Sequence, residues 1–230
     1  AAGAARPPGA GPATPWHAEA PIDNAADIDA AWLDGFPLST QGRYVRDRHG
    51  RRFKFSGVNW YGASDAYHVV GGLDMQPLSH ICAVVRELGF SMVRLPFSSE
   101  MLRAHAPAPG SVNFDLNPGL QGKSPLEILD EVVRELGRQR VAVVLNNHTT
   151  FGAWCGGPDS NGLWFLPTGR APWGPQTEAQ WIEDWAMLAA RYRLCPQVVG
   201  YDLRNEVRAS PHRCGPGRWL PWLRWPVWRG

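Results

Sequence analysis

Apolar segments and amphipathic segments alternate along most of this chain. Four short segments rich in Val, Leu and Phe are typical of buried strands and lie at 53–60, 90–97, 141–148 and 198–206. Between two of them, apolar residues return at the spacing of one helix face, at 78, 81, 82, 85 and 88. Apolar strands separated by amphipathic helices predict a parallel sheet that helices cover.

Two of the predicted helices begin with recognisable first turns. Ser124-Pro-Leu-Glu127 is a capping box with Pro at the first helical position, and Gly137 is expected to end that helix. Thr177-Glu-Ala-Gln180 is a second capping box, and the helix after it places Trp181, Trp185, Leu188 and Tyr192 on one face. Right-handed crossovers through such helices keep all four strands parallel.

The chain before the first strand divides into two parts. Residues 1–15 are Ala, Pro and Gly apart from Arg6 and Thr14, so we predict a flexible tail and lead-in over 1–41. Apolar and charged residues then alternate on both sides of His49-Gly50, in RYVRDRHGRRFKF. This alternation predicts a β-hairpin at the start of a folded region over 42–206.

Each predicted strand begins apolar and ends polar. The polar ends are Asn59-Trp60, Arg94, Asn146-Asn147-His148 and Arg204-Asn205-Glu206. Because the carboxyl ends of parallel strands meet at one edge, these groups are expected to converge on the face where TIM barrels carry active sites. We therefore predict an α/β fold, a partial (β/α)8 TIM barrel of about four βα units preceded by the hairpin.

The side chains at this face suggest a glycosidase. Glu206 is taken as the only carboxylate at the four strand ends, and a carboxyl among polar groups serves as a general acid with a tuned pKa. Arg94 is suited to hold a partner carboxylate ionised, while Asn205 and His148 are suited to hydroxyl groups.

Tryptophan is unusually frequent, with 12 residues in the chain. Three of them lie in the long loop after the third strand, which overhangs the predicted face: Trp154, Trp164 and Trp173. Flat indole surfaces suit the stacking of sugar rings, and core packing is the alternative for each of the three, as it is for Trp60.

Four segments resemble glycoside hydrolase family 5, the cellulase family, over roughly 43–208. They are YVRDRHGRRFKFSGVNWYG, LGFSMVRLPFS, VAVVLNNHTT and VVGYDLRNEV. The last three are similar to the family's arginine after its second strand, its histidine after the third, and its Asn-Glu after the fourth. The resemblance implies a TIM barrel and retaining hydrolysis of β-glycosidic bonds in a polysaccharide, of the endoglucanase or β-glycanase type.

The resemblance also implies roles for individual residues. Glu206 is the acid/base, Asn205 contacts the sugar 2-hydroxyl, Arg94 contacts the nucleophile, and His148 lines the subsite of cleavage. Asn147 and Trp60 are counted with them as substrate-binding residues. Asn146 stands where the family commonly has aspartate, and Val207 where it has proline; neither is expected to touch a catalytic atom.

A retaining glycosidase needs a second carboxylate about 5 Å from the first, as nucleophile. The family takes it from the seventh strand, and residues 207–230 contain no Asp, Glu or Lys. We therefore expect an aberrant tail over 207–230 and a nucleophile absent from this chain. The chain alone is expected to be inactive, and either unstable or dimeric through its open barrel edges. The alternative function is a non-catalytic carbohydrate-binding protein or pseudoenzyme derived from the same fold.

Composition excludes several other classes. A net charge of +2 argues against nucleic acid or an anionic membrane as partner, and no apolar run approaches the ~20 residues of a membrane span. The four cysteines have no C-x-x-C spacing and no H-x-H pair occurs, so neither a metal nor another cofactor is expected. We expect a secreted protein, in which the cysteines have three possible disulfide pairings.

Overall fold

A computed structural model of the chain describes residues 21–23, 25–154, 162–166 and 169–207. In these residues the helices are α1 (Ala30–Leu33), α2 (Leu78–Glu87), α3 (Pro125–Arg138) and α4 (Glu178–Arg191). The first strands are β1 (Ser39–Gln41), β2 (Tyr44–Arg46), β3 (Arg52–Phe53) and β4 (Gly57–Asn59). The later strands are β5 (Met92–Ser98), β6 (Ala142–Thr149), β7 (Arg170–Ala171), β8 (Gly174–Pro175) and β9 (Val198–Asp202).

The central sheet has the strand order β4-β5-β6-β9, and all neighbouring pairs in it are parallel. Helices α2, α3 and α4 each connect one strand of this sheet to the next. The register pairs Asn59 with Arg94 and Asn146 with Asp202, so these four positions lie near one edge of the sheet. The predicted α/β fold with a parallel sheet is confirmed.

Alternate positions of the central strands form the core beneath the helices. Val93, Leu95 and Phe97 of β5 are buried in one cluster with residues of α3 and α4 such as Val132 and Leu188. Successive side chains of a strand point to opposite faces, so the even-numbered positions of β5 lie on the other side of the sheet. That arrangement puts Arg94 on the side away from the helices.

Helix α3 begins as predicted but ends differently. The Ser124 hydroxyl accepts a hydrogen bond from the Glu127 amide at 3.3 Å, and the Glu127 carboxylate accepts one from the Ser124 amide at 2.7 Å. The helix continues past Gly137, and Arg140 is the residue in the left-handed region, with φ 57°. Gly137 is instead needed for a close approach, since a Cβ there would lie 2.5 Å from Ile28 Cδ1.

Regular structure begins before residue 42, the boundary of the folded region that the sequence predicts. The hairpin itself is confirmed, because β2 and β3 pair antiparallel, and β1 adds a third strand on the other side of β2. Helix α1 also lies before the boundary, and Ile22 and Ile28 are buried. The low-complexity segment 1–15 and the predicted tail from 208 onwards lie outside the described residues.

Two of the four cysteines lie in the described residues, and both are free thiols. Cys82 and Cys195 are both buried, and neither forms one of the disulfides that the sequence leaves open. Burial raises the pKa of the Cys195 thiol to about 12, which keeps it protonated and unreactive.

Within the described ranges, no helix is both long and apolar enough to cross a membrane. The same residues contain no group of three or more His, Cys, Asp or Glu side chains that could hold a metal ion.

Candidate active site

Arg94 connects both outer strands of the central sheet. Its Nε and Nη2 donate to Asp202 Oδ2 on β9, at 2.9 and 2.6 Å, and its Nη1 donates to Asn59 Oδ1 on β4, at 3.1 Å. Nη2 also donates to Asn205 Oδ1 at 3.0 Å, just beyond the end of β9. One guanidinium therefore holds the carboxyl ends of the sheet together on the face away from the helices.

Arg94 and its partners Asn59, Asp202 and Asn205 form a cluster of polar side chains at this edge of the sheet. Asp202 is the member of this cluster that the sequence did not predict. Glu206 was counted as the only carboxylate at the strand ends, but Asp202 is a second one and is the ion-pair partner of Arg94 among the described residues. Its two hydrogen bonds to Arg94 fix the guanidinium in place. The signal was present in the sequence, because Asp202 ends an otherwise apolar strand.

His148 lies in the same cluster and is held by Asn146. The contact from Nδ1 to Asn146 Oδ1 is 2.7 Å, and since an amide oxygen only accepts, Nδ1 carries the hydrogen. The imidazole is 3% exposed, and burial, followed by the charges of Arg94 and Arg204, lowers its pKa to about 4. His148 is therefore a neutral hydrogen-bonding group at ordinary pH.

We expect the His148 ring to titrate near pH 4 in an NMR experiment that follows its Cε1–H signal. Its folded-state pKa lies below the unfolded value of about 6.5, so the free energy of unfolding falls by about 3 kcal/mol as pH drops from about 6.5 to 4. Asn146→Asp places a carboxylate on Nδ1–H and should raise this pKa by about one unit or more. A midpoint of about 6.5 in the unsubstituted protein contradicts the assignment.

Glu206 and Asn205 follow directly from β9. Asn205 makes two contacts at this edge of the sheet. Its side-chain oxygen accepts a hydrogen bond from Arg94, and its backbone N–H donates to the Asn147 backbone carbonyl at 3.0 Å. Glu206 is exposed and has φ 37°, a left-handed conformation that strains a residue with a side chain. Its negative charge opposes the lowering of the His148 pKa, which places its carboxylate within electrostatic range of that ring.

Asn147 does not share the face of the cluster, although the sequence analysis counts it as substrate-binding. It follows Val143 and Leu145 at alternate positions, so it lies on the helix side of β6 and is 2% exposed. Its Oδ1 accepts from Arg204 Nη1 at 2.6 Å and from Trp181 Nε1 of α4 at 3.2 Å. These contacts assign Asn147 to support of the strand ends.

The same alternation separates Trp60 from its neighbour Tyr61. Trp60 packs against the hydrophobic core, and its indole N–H donates to the Gly71 carbonyl at 2.9 Å, so the substrate-binding role predicted for it lacks support in these contacts. Tyr61, which the sequence analysis did not select, lies edge-on to His148 with ring centroids 5.3 Å apart. It is the aromatic neighbour of the cluster on this side.

The three loop tryptophans have different environments. Trp164 and Trp173 are partly buried, and their indole N–H groups donate to Glu178 at 3.1 Å and Gln176 at 3.4 Å. Trp154 is 74% exposed and lies beside Tyr61, with ring centroids 5.5 Å apart. Among the three, exposure therefore favours Trp154 as a surface for a ligand.

Comparison with known families agrees with this geometry. A family model described as cellulase, glycosyl hydrolase family 5, matches residues 47–227, which is more than half of the chain. The chain belongs to glycoside hydrolase family 5.

Family 5 relatives are similar over most of this chain. An endoglucanase of Paenibacillus polymyxa is 32% identical over 194 residues, covering 83% of this chain and 43% of the relative. The major extracellular endoglucanase of Xanthomonas campestris is 35% identical over 180 residues, covering 77% of this chain and 33% of the relative.

Solved family 5 structures share the fold. The catalytic domain of the Xanthomonas enzyme matches with a TM-score of 0.63 and 33% identity, covering 74% of this chain and 45% of that domain. An endocellulase of Pyrococcus horikoshii in complex with cellotetraose matches with a TM-score of 0.63 and 25% identity, covering 74% and 43%. The chain thus spans less than half the length of these relatives.

Asn146, which replaces the family's common aspartate, binds His148 Nδ1 directly, so it supports a predicted substrate-binding residue and not the acid/base Glu206. The family match also continues to residue 227, beyond residue 206, where the predicted half-barrel ends.

Proposed function

We propose that this chain carries the acid/base half of a retaining β-glycanase centre that acts on β-linked glucan. The supporting observation is the convergence of Glu206, Asn205, Arg94 and His148 at the carboxyl edge of the parallel sheet of a family 5 chain. A carboxyl group supplies the acid/base catalysis, and amide, guanidinium and neutral imidazole groups are suited to hydrogen bonds with sugar hydroxyls and with a partner carboxylate.

In this proposal Glu206 donates a proton to the glycosidic oxygen as the leaving sugar departs, and then removes a proton from the attacking water. The exposure of Glu206 supports access to a bound chain. His148, neutral and held by Asn146, places an uncharged hydrogen-bonding imidazole beside the cleavage site. Arg94 and Asn205 are oriented before substrate arrives, because each is held by a hydrogen bond to the other.

The nucleophile is proposed to come from a second half of the barrel. The family takes the nucleophile from its seventh strand, whereas Asp202, the carboxylate that binds Arg94 here, lies on β9, the fourth strand of the central sheet in chain order. A solved family 5 relative supports the choice of ligand, since the Pyrococcus horikoshii endocellulase forms a complex with cellotetraose. The name of the Xanthomonas relative supports secretion, which detection of this protein in culture medium would test.

A fusion tests the proposed function. Residues 1–207 are joined to the part of the Xanthomonas catalytic domain that follows its matched segment, and the chain alone is assayed beside the fusion. We expect the fusion to release reducing ends from β-1,4-glucan with retention of the anomeric configuration, and the chain alone to release none. A folded fusion that binds glucan without hydrolysing it favours the carbohydrate-binding alternative, and inversion of configuration excludes the mechanism.

A further inference from the structure

The loop after β6 presents one large apolar surface to solvent beside the candidate site. Trp154 is 74% exposed, whereas Trp164 and Trp173 are partly buried and hydrogen-bonded through their indole N–H groups. An exposed indole has a free-energy cost in water that a ligand covering it removes.

Trp154 is connected to the cluster through Tyr61. The Trp154 and Tyr61 rings are 5.5 Å apart with their planes tilted by 32°, and Tyr61 lies edge-on to His148 at 5.3 Å and 89°. The exposed indole and the partly exposed Tyr61 ring therefore form one aromatic surface beside the buried His148. An oligosaccharide that extends from the candidate site toward this loop meets Tyr61 and then Trp154.

The segment that carries Trp154 is held in place from two sides. The Gly152 backbone amide donates to Glu100 Oε2 at 2.7 Å, which ties the loop to the second residue after β5. A Cβ at position 152 would lie 2.5 Å from His68 Nε2 and 2.8 Å from the Asp65 carbonyl, so the loop rests directly on the chain that follows β4. A surface fixed in this way binds without the cost of ordering a loop.

We propose that Trp154 is a sugar-binding platform for an unsubstituted β-1,4-linked glucan chain, adjacent to the candidate site. In such a glucan all ring substituents are equatorial, so each face of the sugar exposes only C–H groups and lies flat on an indole. The axial hydroxyl of mannose interrupts this match. The inference takes its ligand class from the proposed function, but it requires binding alone and no hydrolysis.

Binding to the full chain, measured by calorimetry with cellotetraose, tests the platform. Trp154→Ala is expected to lower the affinity about five- to tenfold, and Trp154→Phe to retain most of it, because a flat ring remains. Leu88→Ala is the matched control: Leu88 is 69% exposed and caps the carboxyl end of α2, at the opposite edge of the sheet. Mannotetraose is expected to bind more weakly than cellotetraose.

Three results overturn the platform: no binding of cellotetraose by the unsubstituted chain, unchanged affinity in Trp154→Ala, or an equal loss in Leu88→Ala. Failure of the proposed function gives a different pattern. If cellotetraose binding to the chain depends on Trp154 but the fusion does not hydrolyse glucan, the platform is supported and the proposed enzymatic function is contradicted. If the fusion hydrolyses glucan but binding does not depend on Trp154, the enzymatic function is supported and the platform is contradicted.

Discussion

Glu206→Gln in the fusion is expected to lower hydrolysis of natural β-glucan by about 10²–10⁴-fold, or about 3–5 kcal/mol of transition-state stabilisation. Glutamine keeps the size of the side chain and most of its hydrogen bonding, but it cannot donate a proton to the leaving oxygen. Both residues have a Cβ, so the left-handed backbone at position 206 is strained equally in each. The urea midpoints of the two proteins should therefore agree, which assigns the loss to chemistry.

Substrates with good leaving groups separate an acid/base role from a nucleophilic one. Dinitrophenyl glycosides need little protonation, so formation of the glycosyl-enzyme should be largely spared in Glu206→Gln. Azide should then speed turnover, since a small anion attacks that intermediate without a general base. Loss of both substrate types without azide rescue would identify Glu206 as the nucleophile, and full activity would remove it from the mechanism.

Asp184→Ala is expected to lower the free energy of unfolding by about 3–5 kcal/mol. Arg103 Nη2 donates to both carboxylate oxygens of Asp184, at 2.7 and 2.8 Å, and the two side chains are 7% and 5% exposed. The substitution removes the carboxylate that balances a buried guanidinium. Burial raises the pKa of Asp184 to about 6 despite that guanidinium, which shows how strongly this region disfavours an unbalanced charge.

Urea denaturation measures this loss, with an unchanged dependence on denaturant as evidence that only stability has changed. Arg48→Ala is the matched control, because its ion pair with Asp34 is more than half exposed on both sides and should contribute less than about 1 kcal/mol. Replacing Asp184 and Arg103 together with Leu and Met should recover much of the loss. A decrease below about 1 kcal/mol in Asp184→Ala would show that the pair has little structural weight.

Strand order and the gathering of Arg94, His148 and Glu206 at one edge could be predicted because both follow from local periodicity. Position along a strand also determines on which face of the sheet a side chain lies, and the predicted list of site residues does not take this alternation into account. Asn147 shares its face with Leu145, and Trp60 lies opposite to Asn59 by the same alternation. This alternation places Asn147 and Trp60 on the helix side of the sheet, and the substrate-binding role of these two residues stays a prediction.

The environment of the loop tryptophans depends on contacts between distant residues, so the sequence could not distinguish them. Trp164 is held by Glu178 at the start of α4, and Trp173 lies against Phe151 with ring centroids 5.2 Å apart. Neither contact follows from spacing along the chain. Exposure of Trp154 is visible only once the loop is folded against Glu100 and His68.

The parallel register has a consequence for how chain length can vary in this family. The register pairs Arg94 with Asn59 and Asp202 with Asn146. Each polar side chain therefore reaches its partner only from its own position in the strand. Inserting or deleting one residue within β5 would turn Arg94 toward the helices and bring an apolar neighbour into the cluster. Changes of length are therefore expected to be tolerated in the connections outside the strands, where added residues leave every pairing of the sheet intact.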